Sequence, residues 1–537
     1  MLRPADLRAA VRSEGGVSRR LFLAYGAALA ALPVVGARAL GRVVRRPGFV
    51  AEPFSLGVAS GDPMPTGVVL WTRLAPEPLA PAGGMRPENV VVRWELADDE
   101  AMRTVVASGD AVATPQLGHS VHVEVEGLRP DRWYFYRFRA GDATSPVGRT
   151  RTAPLPGASP ERLRFAFASC QHFEQGLFTA YEHMTKDDLD LVVHLGDYIY
   201  EYPGADKRVR KHVGPERTKI ITLEDYRNRH AQYRTDAHLK EVHRRFPWVV
   251  TWDDHEFDNN YANDVSEKNE EPELAVDPAT FLEQRAAAYQ AYYEAMPLRR
   301  TCVPRGPQLT LYRTVGFGRL ASFQVLDTRQ YRTDQPNGDR AADLNDEALN
   351  PHGSLLGARQ ADWLKAALLR SDATWNVLAQ QVMMGLVDLA AGADRRYSMD
   401  QWPGAAHERI GLMKWVADRR VPNPVVLTGD IHSNWVNDLR VDDRRQDTPV
   451  VATEFVGTSI SSGGNGVAEP KGVDVLLREN PFVKYHNRQR GYVRCAVTPR
   501  AWTADYRIVP EVLKPGGPVV TGATFAVEAG RAGAQRA

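Results

Sequence analysis

The length and charge of the chain set the first limits on its function. It has 537 residues, with 67 Lys and Arg against 66 Asp and Glu, for a formal net charge of +1. This balance argues against a dedicated nucleic-acid-binding protein, because such proteins carry a clear basic excess. The hydrophobic content of 43% and the 11 tryptophans exclude global disorder, and the length predicts two or three folding units.

Paired arginines precede a short apolar run near the N-terminus. Arg19 and Arg20 stand before an Ala-rich run over 21–35, and Ala37-Arg38-Ala39 offers the small residues of a signal-peptidase site. This pattern predicts a removable export signal over residues 1–39 rather than a membrane anchor, because the apolar run is too short. The arginine pair resembles a Tat signal. We therefore expect the Tat export machinery as a partner, and a periplasmic or secreted mature protein.

Residues 50–152 have the pattern of an all-β domain. Short apolar runs are separated by Gly, Pro and Asp, which favour turns. The segment Leu128–Tyr136 resembles the tyrosine corner of an immunoglobulin or fibronectin-like sandwich, so we expect an N-terminal β-sandwich domain. The apolar runs are Val68–Trp71, Val90–Leu96, Val121–Val125 and Trp133–Phe138.

Residues 160–527 have a different pattern, in which apolar strand-like runs alternate with helical segments. This alternation predicts an α/β domain with a buried sheet. The clearest helix is expected over Ala279–Ala295, after Asp277-Pro278. The last residues, 528–537, are rich in Gly, Ala and Arg and predict a flexible tail.

Four polar clusters follow apolar runs in the α/β region, where ligands bind beyond the carboxyl ends of strands. Two adjacent cations need carboxylate, imidazole or similar donors and an open position, and each cluster supplies such donors. Taken singly, each has a simpler explanation as a turn, a helix cap or a buried structural residue. Their joint occurrence favours a metal site. The clusters are Ser169-Cys170-Gln171-His172, Gly196-Asp197-Tyr198-Ile199-Tyr200, Trp252-Asp253-Asp254-His255-Glu256 and Gly429-Asp430-Ile431-His432-Ser433-Asn434.

The cysteines do not predict a disulfide framework. There are three, Cys170, Cys302 and Cys495, an odd and sparse set. In an exported protein, at least one thiol must then be buried, modified or bound to metal.

The order of the four clusters resembles that of the PhoD-type alkaline phosphatases, a branch of the calcineurin-like and purple-acid-phosphatase metallophosphoesterases. The resemblance runs from about Phe54 to about Val527 and includes Arg285–Glu294 and Asp327–Arg329. It implies a four-layer α/β/β/α metallophosphoesterase sandwich. It also implies hydrolysis of phosphomonoesters or phosphodiesters through metal-activated hydroxide, with Fe³⁺ (ferric iron) and Ca²⁺ (calcium) as cofactors.

The resemblance assigns an iron site to four residues. Asp197 corresponds to the carboxylate that bridges the two metals. Cys170 occupies the strand end where the wider superfamily has its first ligands, and a soft thiolate there favours iron over calcium. Tyr200 resembles the tyrosinate of the purple acid phosphatases, and His432 completes the set.

The resemblance assigns the second site and the substrate contacts to four further residues. Asp254 and Asp430 stand where the superfamily has neutral donors, and this exchange suits calcium, which takes oxygen ligands. We interpret His255 as the general acid or phosphate donor, and Arg329 as a candidate for gripping phosphate. Further candidates for calcium donors are Asn259, Gln381 and Asn434.

Three functions stay open from the sequence. The first is a phosphatase or phosphodiesterase acting outside the cytoplasm on small phosphate esters. The second is a specialised phosphodiesterase or phospholipase D-like enzyme on lipid or wall polymers, which the sequence does not separate from the first because specificity lies in loops. The third is a non-catalytic cell-surface binding protein, and the presence of Asp197, His255 and His432 argues against it.

Overall fold

The computed structural model describes residues 43–203, 208–215, 218–270 and 275–537. The predicted signal over residues 1–39 lies outside these ranges. Within them, no helix is both long enough and apolar enough to cross a membrane.

The described residues form a mixed α/β structure. The α-helices are α1 (Thr179–Met184), α2 (Leu223–Arg234), α3 (Ala237–Arg245), α4 (Pro278–Ala295), α5 (Gly357–Arg370), α6 (Ala406–Asp418) and α7 (Val473–Glu479). The strands are β1 (Val43–Val44), β2 (Val58–Met64), β3 (Gly67–Arg73), β4 (Asn89–Ala97), β5 (Val105–Ala113), β6 (Ser120–Val125), β7 (Trp133–Ala140), β8 (Ala143–Thr144), β9 (Gly148–Arg151), β10 (Leu163–Ala168), β11 (Leu191–Leu195), β12 (Pro247–Thr251), β13 (Arg313–Phe317), β14 (Ala321–Val325), β15 (Trp375–Ala379), β16 (Pro424–Thr428), β17 (Asn434–Arg440), β18 (Val450–Val456), β19 (Val483–Asn487), β20 (Arg490–Val497), β21 (Ala501–Val509), β22 (Val520–Glu528) and β23 (Gln535–Arg536).

The N-terminal region forms two β layers around one apolar core. One layer is a six-stranded sheet centred on β4 and β7, and the other consists of β2, β3 and β6. Tyr134 on β7 makes the contact expected of a tyrosine corner. Its hydroxyl accepts a hydrogen bond from the backbone N–H of Arg129 at 3.0 Å and donates to the carbonyl of the same residue at 3.4 Å.

The second of these layers continues into the α/β region. Strand β2 pairs in parallel with β12, with Gly61 opposite Trp248. The result is a ten-stranded sheet in the order β23-β22-β21-β20-β10-β11-β12-β2-β3-β6. The close approach of β2 to β12 requires glycine at position 61, because a Cβ there would lie 2.8 Å from the carbonyl oxygen of Trp248. The sequence does not predict this shared sheet.

The α/β region has four layers. A seven-stranded sheet in the order β13-β14-β15-β16-β18-β17-β19 packs face to face on the ten-stranded sheet, with a shared core that includes Phe165, Phe323 and Trp502. Helices α1 to α4 cover the outer face of the larger sheet, and α5 and α6 cover that of the smaller one. This architecture confirms the predicted α/β/β/α sandwich.

Side-chain caps mark the starts of two helices, of which the sequence predicts that of α4. Helix α2 begins with a capping box, in which Thr222 and Asp225 each accept a hydrogen bond from the backbone N–H of the other. Helix α4 begins after Asp277, whose carboxylate accepts the N–H groups of Ala279 and Thr280 at 3.1 Å.

The C-terminal segment differs from the expectation of a flexible tail over 528–537. Gln535–Arg536 pairs with β22 as strand β23, and the backbone N–H of Ala534 donates to Asp438 Oδ1 at 2.8 Å. Ala534 is buried. The composition of the tail misled the prediction because small residues can pack closely against a sheet edge.

Candidate metal centre

Four strand ends bring the predicted clusters together. Strands β10, β11 and β12 are parallel neighbours in the ten-stranded sheet, and their carboxyl ends lead to Cys170, Asp197 and Asp254. Strand β16 in the facing sheet leads to Asp430 and His432. The two sheets therefore present all four clusters at one edge of the sandwich, as expected for an α/β site.

The loops that follow these strands turn sharply. Cys170, Asp197, Asp430 and His432 have φ angles of 60°, 54°, 58° and 53°, in the left-handed region that residues other than glycine rarely adopt. Such conformations cost roughly 1–3 kcal/mol each and cluster at functional sites. The backbone is therefore strained at the residues whose side chains converge.

Glycine precedes both aspartates of the Gly-Asp motifs for a steric reason. A Cβ at Gly196 would lie 2.4 Å from Cβ of Asp253, and one at Gly429 would lie 2.6 Å from Oγ of Ser169. Each glycine lets two ligand-bearing loops touch. The motifs thus encode contact between loops as well as the carboxylate itself.

One group of donor atoms comes from Cys170, Asp197 and His432, which lie within 4.8 Å of one another. Tyr200 joins this group, because its hydroxyl donates to Asp197 Oδ2 at 2.8 Å and lies 3.0 Å from His432 Nε2. Ser462 forms hydrogen bonds to this group. Its Oγ donates to the Tyr200 hydroxyl at 2.7 Å or to the carbonyl of Cys170 at 2.8 Å.

The Cys170 thiol is held protonated without a nearby cation. Burial raises its pKa well above the usual value, and the negative charge of Asp197 raises it further. The pKa of Tyr200 is raised in the same way by burial and by Asp197. A cation bound here would oppose these effects, so its binding would be accompanied by the release of protons.

A second group of donor atoms consists of carboxylates. Asp253, Asp254 and Asp430 place oxygens within 4.8 Å of one another, and Asp197, Asp254 and His255 do the same. Asp254 belongs to both of these sets. Asp197 belongs to the set with His255 and also to the earlier group with Cys170 and His432. Two groups of donor atoms therefore adjoin one another, and Asp197 lies between them.

Arg329 lies behind this acidic cluster, which corrects its expected role in gripping phosphate. Its side chain is fully buried, and its three nitrogens are engaged by carboxylates. Nε contacts Asp253, Nη1 donates to Asp400 at 2.7 Å, and Nη2 donates to Asp430 at 2.8 Å. With every nitrogen occupied and no exposed surface, it neutralises charge and positions the aspartates.

The donors present fit metal ions. Buried polar atoms are almost always paired, yet Asp197 Oδ1 and Asp253 Oδ2 are buried with no hydrogen-bond partner. Asp197 also lacks an arginine or lysine partner among the described residues, and an imidazole nitrogen, His432 Nε2, lies 3.9 Å from its Oδ2. A thiol, a phenol, an imidazole and several carboxylates therefore converge on unbalanced negative charge.

His255 is oriented by Glu201. Its Nδ1 lies 2.9 Å from Glu201 Oε2, which leaves Nε2 for a substrate or a cation, and its ring stacks on Tyr200 with centroids 4.3 Å apart. Burial alone lowers the pKa of His255, but the charges of Asp254 and Glu201 outweigh it and raise the pKa well above the usual value.

Several residues that organise the site are not predicted from the sequence. Glu256 accepts backbone N–H groups from Asp197 at 3.0 Å, Tyr198 at 2.6 Å and Asp253 at 2.8 Å, and so ties two ligand loops together. Its position in the third cluster, next to His255, is the one feature of the sequence that could have identified it. The others are Glu201, Asp253, Asp400 and Ser462, whose roles depend on contacts distant in sequence.

Two of the three candidates for further calcium donors have side-chain amides that are engaged elsewhere. Gln381 is saturated by Thr328, Thr251 and Leu326. The side chain of Asn434 bonds Thr458, Asn487 and Gln489. Both therefore hold the loops in place. For Asn259, the backbone N–H donates to Glu201 Oε1 at 3.0 Å.

Comparison with known proteins gives consistent matches across the chain. A family model described as PhoD-like phosphatase matches residues 165–506, and one described as PhoD-like phosphatase, N-terminal domain, matches residues 42–154. The chain is 51% identical over 494 residues to alkaline phosphatase D of Bacillus subtilis (strain 168), across 91% of this chain and 83% of that protein. It is also similar to a solved structure of PhoD, with 50% identity, a TM-score of 0.88, and coverage of 91% of this chain and 93% of that one.

Glu256→Gln tests how far the ligand loops depend on one buried carboxylate. Glutamine has a single acceptor oxygen, so at least one of the three N–H groups loses its partner. We expect a loss of about 1–3 kcal/mol in the free energy of unfolding, measured by urea denaturation, together with weaker metal retention. The exposed Glu283→Gln on α4 is the control. Equal stability of the two variants would contradict the role of Glu256.

Proposed function

Since the chain belongs to the PhoD-like phosphatase family and is a phosphoric ester hydrolase, we propose that it is an exported enzyme that requires iron and calcium. The observation that carries the metal requirement is the uncompensated Asp197, whose Oδ1 is buried without a partner between two sets of donors. A buried carboxylate in this position needs a cation to balance its charge.

The first set of donors suits iron. Cys170, Tyr200 and His432 would hold it together with Asp197. Thiolate and imidazole donors favour transition metals over calcium or magnesium, and the proposed ligation also explains why an unpaired thiol lies at the end of β10.

The second set suits calcium. Asp254 and Asp430 would hold it with Asp197. Asp253, which is not among the ligands expected from the sequence, adds a further carboxylate. Calcium takes oxygen ligands in flexible arrangements. Arg329 would hold the aspartates in position through one oxygen of each carboxylate and leave the other oxygen to bind the ion.

The residues around the centre would divide the remaining work of ester hydrolysis. When bound, the metal ions lower the pKa of water and neutralise charge on the phosphoryl group. His255, fixed by Glu201, would donate a hydrogen bond to a phosphoryl oxygen or a proton to the leaving group through Nε2. Asp197 and Asp254 are buried, so the interactions of their charges are weakly screened by solvent.

The substrates we propose are phosphomonoesters, phosphodiesters or both. His432 is the most open side chain of the centre, at 36% exposed, against 2% for Asp197. A substrate would therefore approach from the side of His432, where the surrounding loops set its specificity.

Cys170→Ala tests the iron site. Removal of the thiolate should abolish iron binding, leave part of the calcium, and lower phosphatase activity at least about 100-fold, since even supporting residues of metal sites cost 10–100-fold. Metal content is measured by plasma mass spectrometry, and activity with p-nitrophenyl phosphate.

The chain offers two matched controls for this variant. Cys302 and Cys495 are also buried free cysteines, and Cys495 lies on β20, away from the donor groups. Cys302→Ala and Cys495→Ala should retain iron. Iron content in Cys170→Ala equal to that of these controls would remove Cys170 from the ligand set.

The proposal of export depends on Arg19 and Arg20, which lie outside the described residues. Tat receptors recognise the arginine pair, so Arg19→Lys combined with Arg20→Lys should leave uncleaved precursor in the cytoplasm. Cell fractionation and immunoblotting measure this, with Arg3→Lys combined with Arg8→Lys as the control. Normal export of the Arg19/Arg20 variant would contradict a Tat-type signal.

A further inference from the structure

A cavity of about 620 Å³ adjoins the metal centre. It lies among the loop that contains residues 389–391, the start of β17 and helix α7. Its wall consists of Leu389, Ala390, Ala391, Ile431, Ser433, Trp435, Pro470, Lys471, Gly472, Val473, Val475, Leu476, His486 and Arg488. Neither the proposed metal ligands nor His255 belong to this wall, so the cavity is a separate feature.

The cavity begins where a substrate would enter. Ile431 and Ser433 form part of its wall, and these residues directly precede and follow His432, the most exposed side chain of the metal centre. The cavity therefore lies beside the chain segment that carries His432.

The inner wall is apolar and fixed. Trp435 packs against His486, with ring centroids 3.7 Å apart, and its Nε1–H donates to Ser433 Oγ at 2.8 Å. Burial lowers the pKa of His486 to about 4, so that its ring is neutral at neutral pH. Ile431 and Leu476 pack against the same cluster.

The outer wall is positively charged. Lys471 and Arg488 are exposed, and neither forms an ion pair within the described part of the chain. No carboxylate lines the cavity. The pocket therefore favours an apolar group near the phosphate and an anion at its rim.

We propose that this cavity binds the second esterified group of a phosphodiester, the group that stays on the phosphate, and that this group is apolar along its length and negatively charged at its far end. A phosphomonoester has no such group and leaves the cavity empty. The inference rests on the proposed phosphoesterase function and narrows its substrate class to diesters with an anionic second group.

The test keeps the leaving group constant and varies the second group. The substrates are p-nitrophenyl phosphate and its methyl, butyl and 5-carboxypentyl diesters, all of which release p-nitrophenolate. The wild-type enzyme should prefer the butyl diester to the methyl diester by about 10-fold or more in kcat/KM, because a few methylenes enter an apolar pocket. It should favour the 5-carboxypentyl diester over the butyl diester.

Two variants separate the apolar wall from the charged rim. Leu389→Ser should reduce the preference for butyl over methyl about 3-fold or more, with the monoester unchanged. Lys471→Gln combined with Arg488→Gln should remove the preference for the carboxylate, which high salt should also remove in the wild-type enzyme. The controls are Leu513→Ser and Arg478→Gln, an exposed leucine and an exposed arginine outside the cavity.

The outcomes distinguish failure of the proposed function from failure of the inference about the cavity alone. If the wild-type enzyme hydrolyses none of the four esters, the proposed function fails and this inference with it. If it hydrolyses the monoester but does not prefer larger second groups, only this inference is overturned. An equal loss on all four substrates in the cavity variants would also overturn it, because that result means that the cavity holds the leaving group or supports the fold.

Discussion

Negative charge buried at one edge of the sandwich is the constraint on which the site depends. Asp197, Asp253, Asp254 and Asp430 are desolvated there, and a buried ion costs roughly several kcal/mol unless it is compensated. Arg329 compensates part of this charge through Asp253, Asp254 and Asp430, but it does not reach Asp197. In the proposed function, the remaining charge at Asp197 would draw a cation to the centre, and the Cys170 thiol would lose its proton and become a ligand when that cation binds.

The fold brings the acidic residues together by holding the loops that carry them in strained backbone conformations. Four residues of the centre have left-handed backbone conformations, and glycines at 196 and 429 allow the loops to touch. Glu256 accepts three backbone N–H groups from two of the loops. Both sheets are needed, because β16 supplies Asp430 and His432 from the side opposite to Cys170 and Asp197. The shared ten-stranded sheet also joins the N-terminal layer to β12, whose end carries Asp253 and Asp254.

The sequence predicts the layers and the ligand-bearing loops because these depend on local patterns. Apolar runs that end in polar clusters place Cys170, Asp197 and Asp254 correctly at strand ends, and a capping residue locates the start of α4. The sequence does not predict features that depend on distant contacts. Arg329 contacts carboxylates from three other segments. Its burial and its role therefore do not follow from its neighbours in the sequence. The union of β2 with β12 and the packing of Ala534 against Asp438 depend on geometry that no spacing encodes. The cavity beside His432 likewise joins segments 389–391, 431–435 and 470–488.

X-ray absorption at the iron K-edge of the purified wild-type protein tests the proposed ligation of iron by Cys170. If Cys170 and Asp197 share one iron ion, the spectrum will show a sulfur atom among the nearest neighbours of iron, with nitrogen or oxygen as the rest. Hydrolysis of phosphate esters by a protein whose iron has only nitrogen and oxygen neighbours, or by a protein without iron, would exclude this ligation.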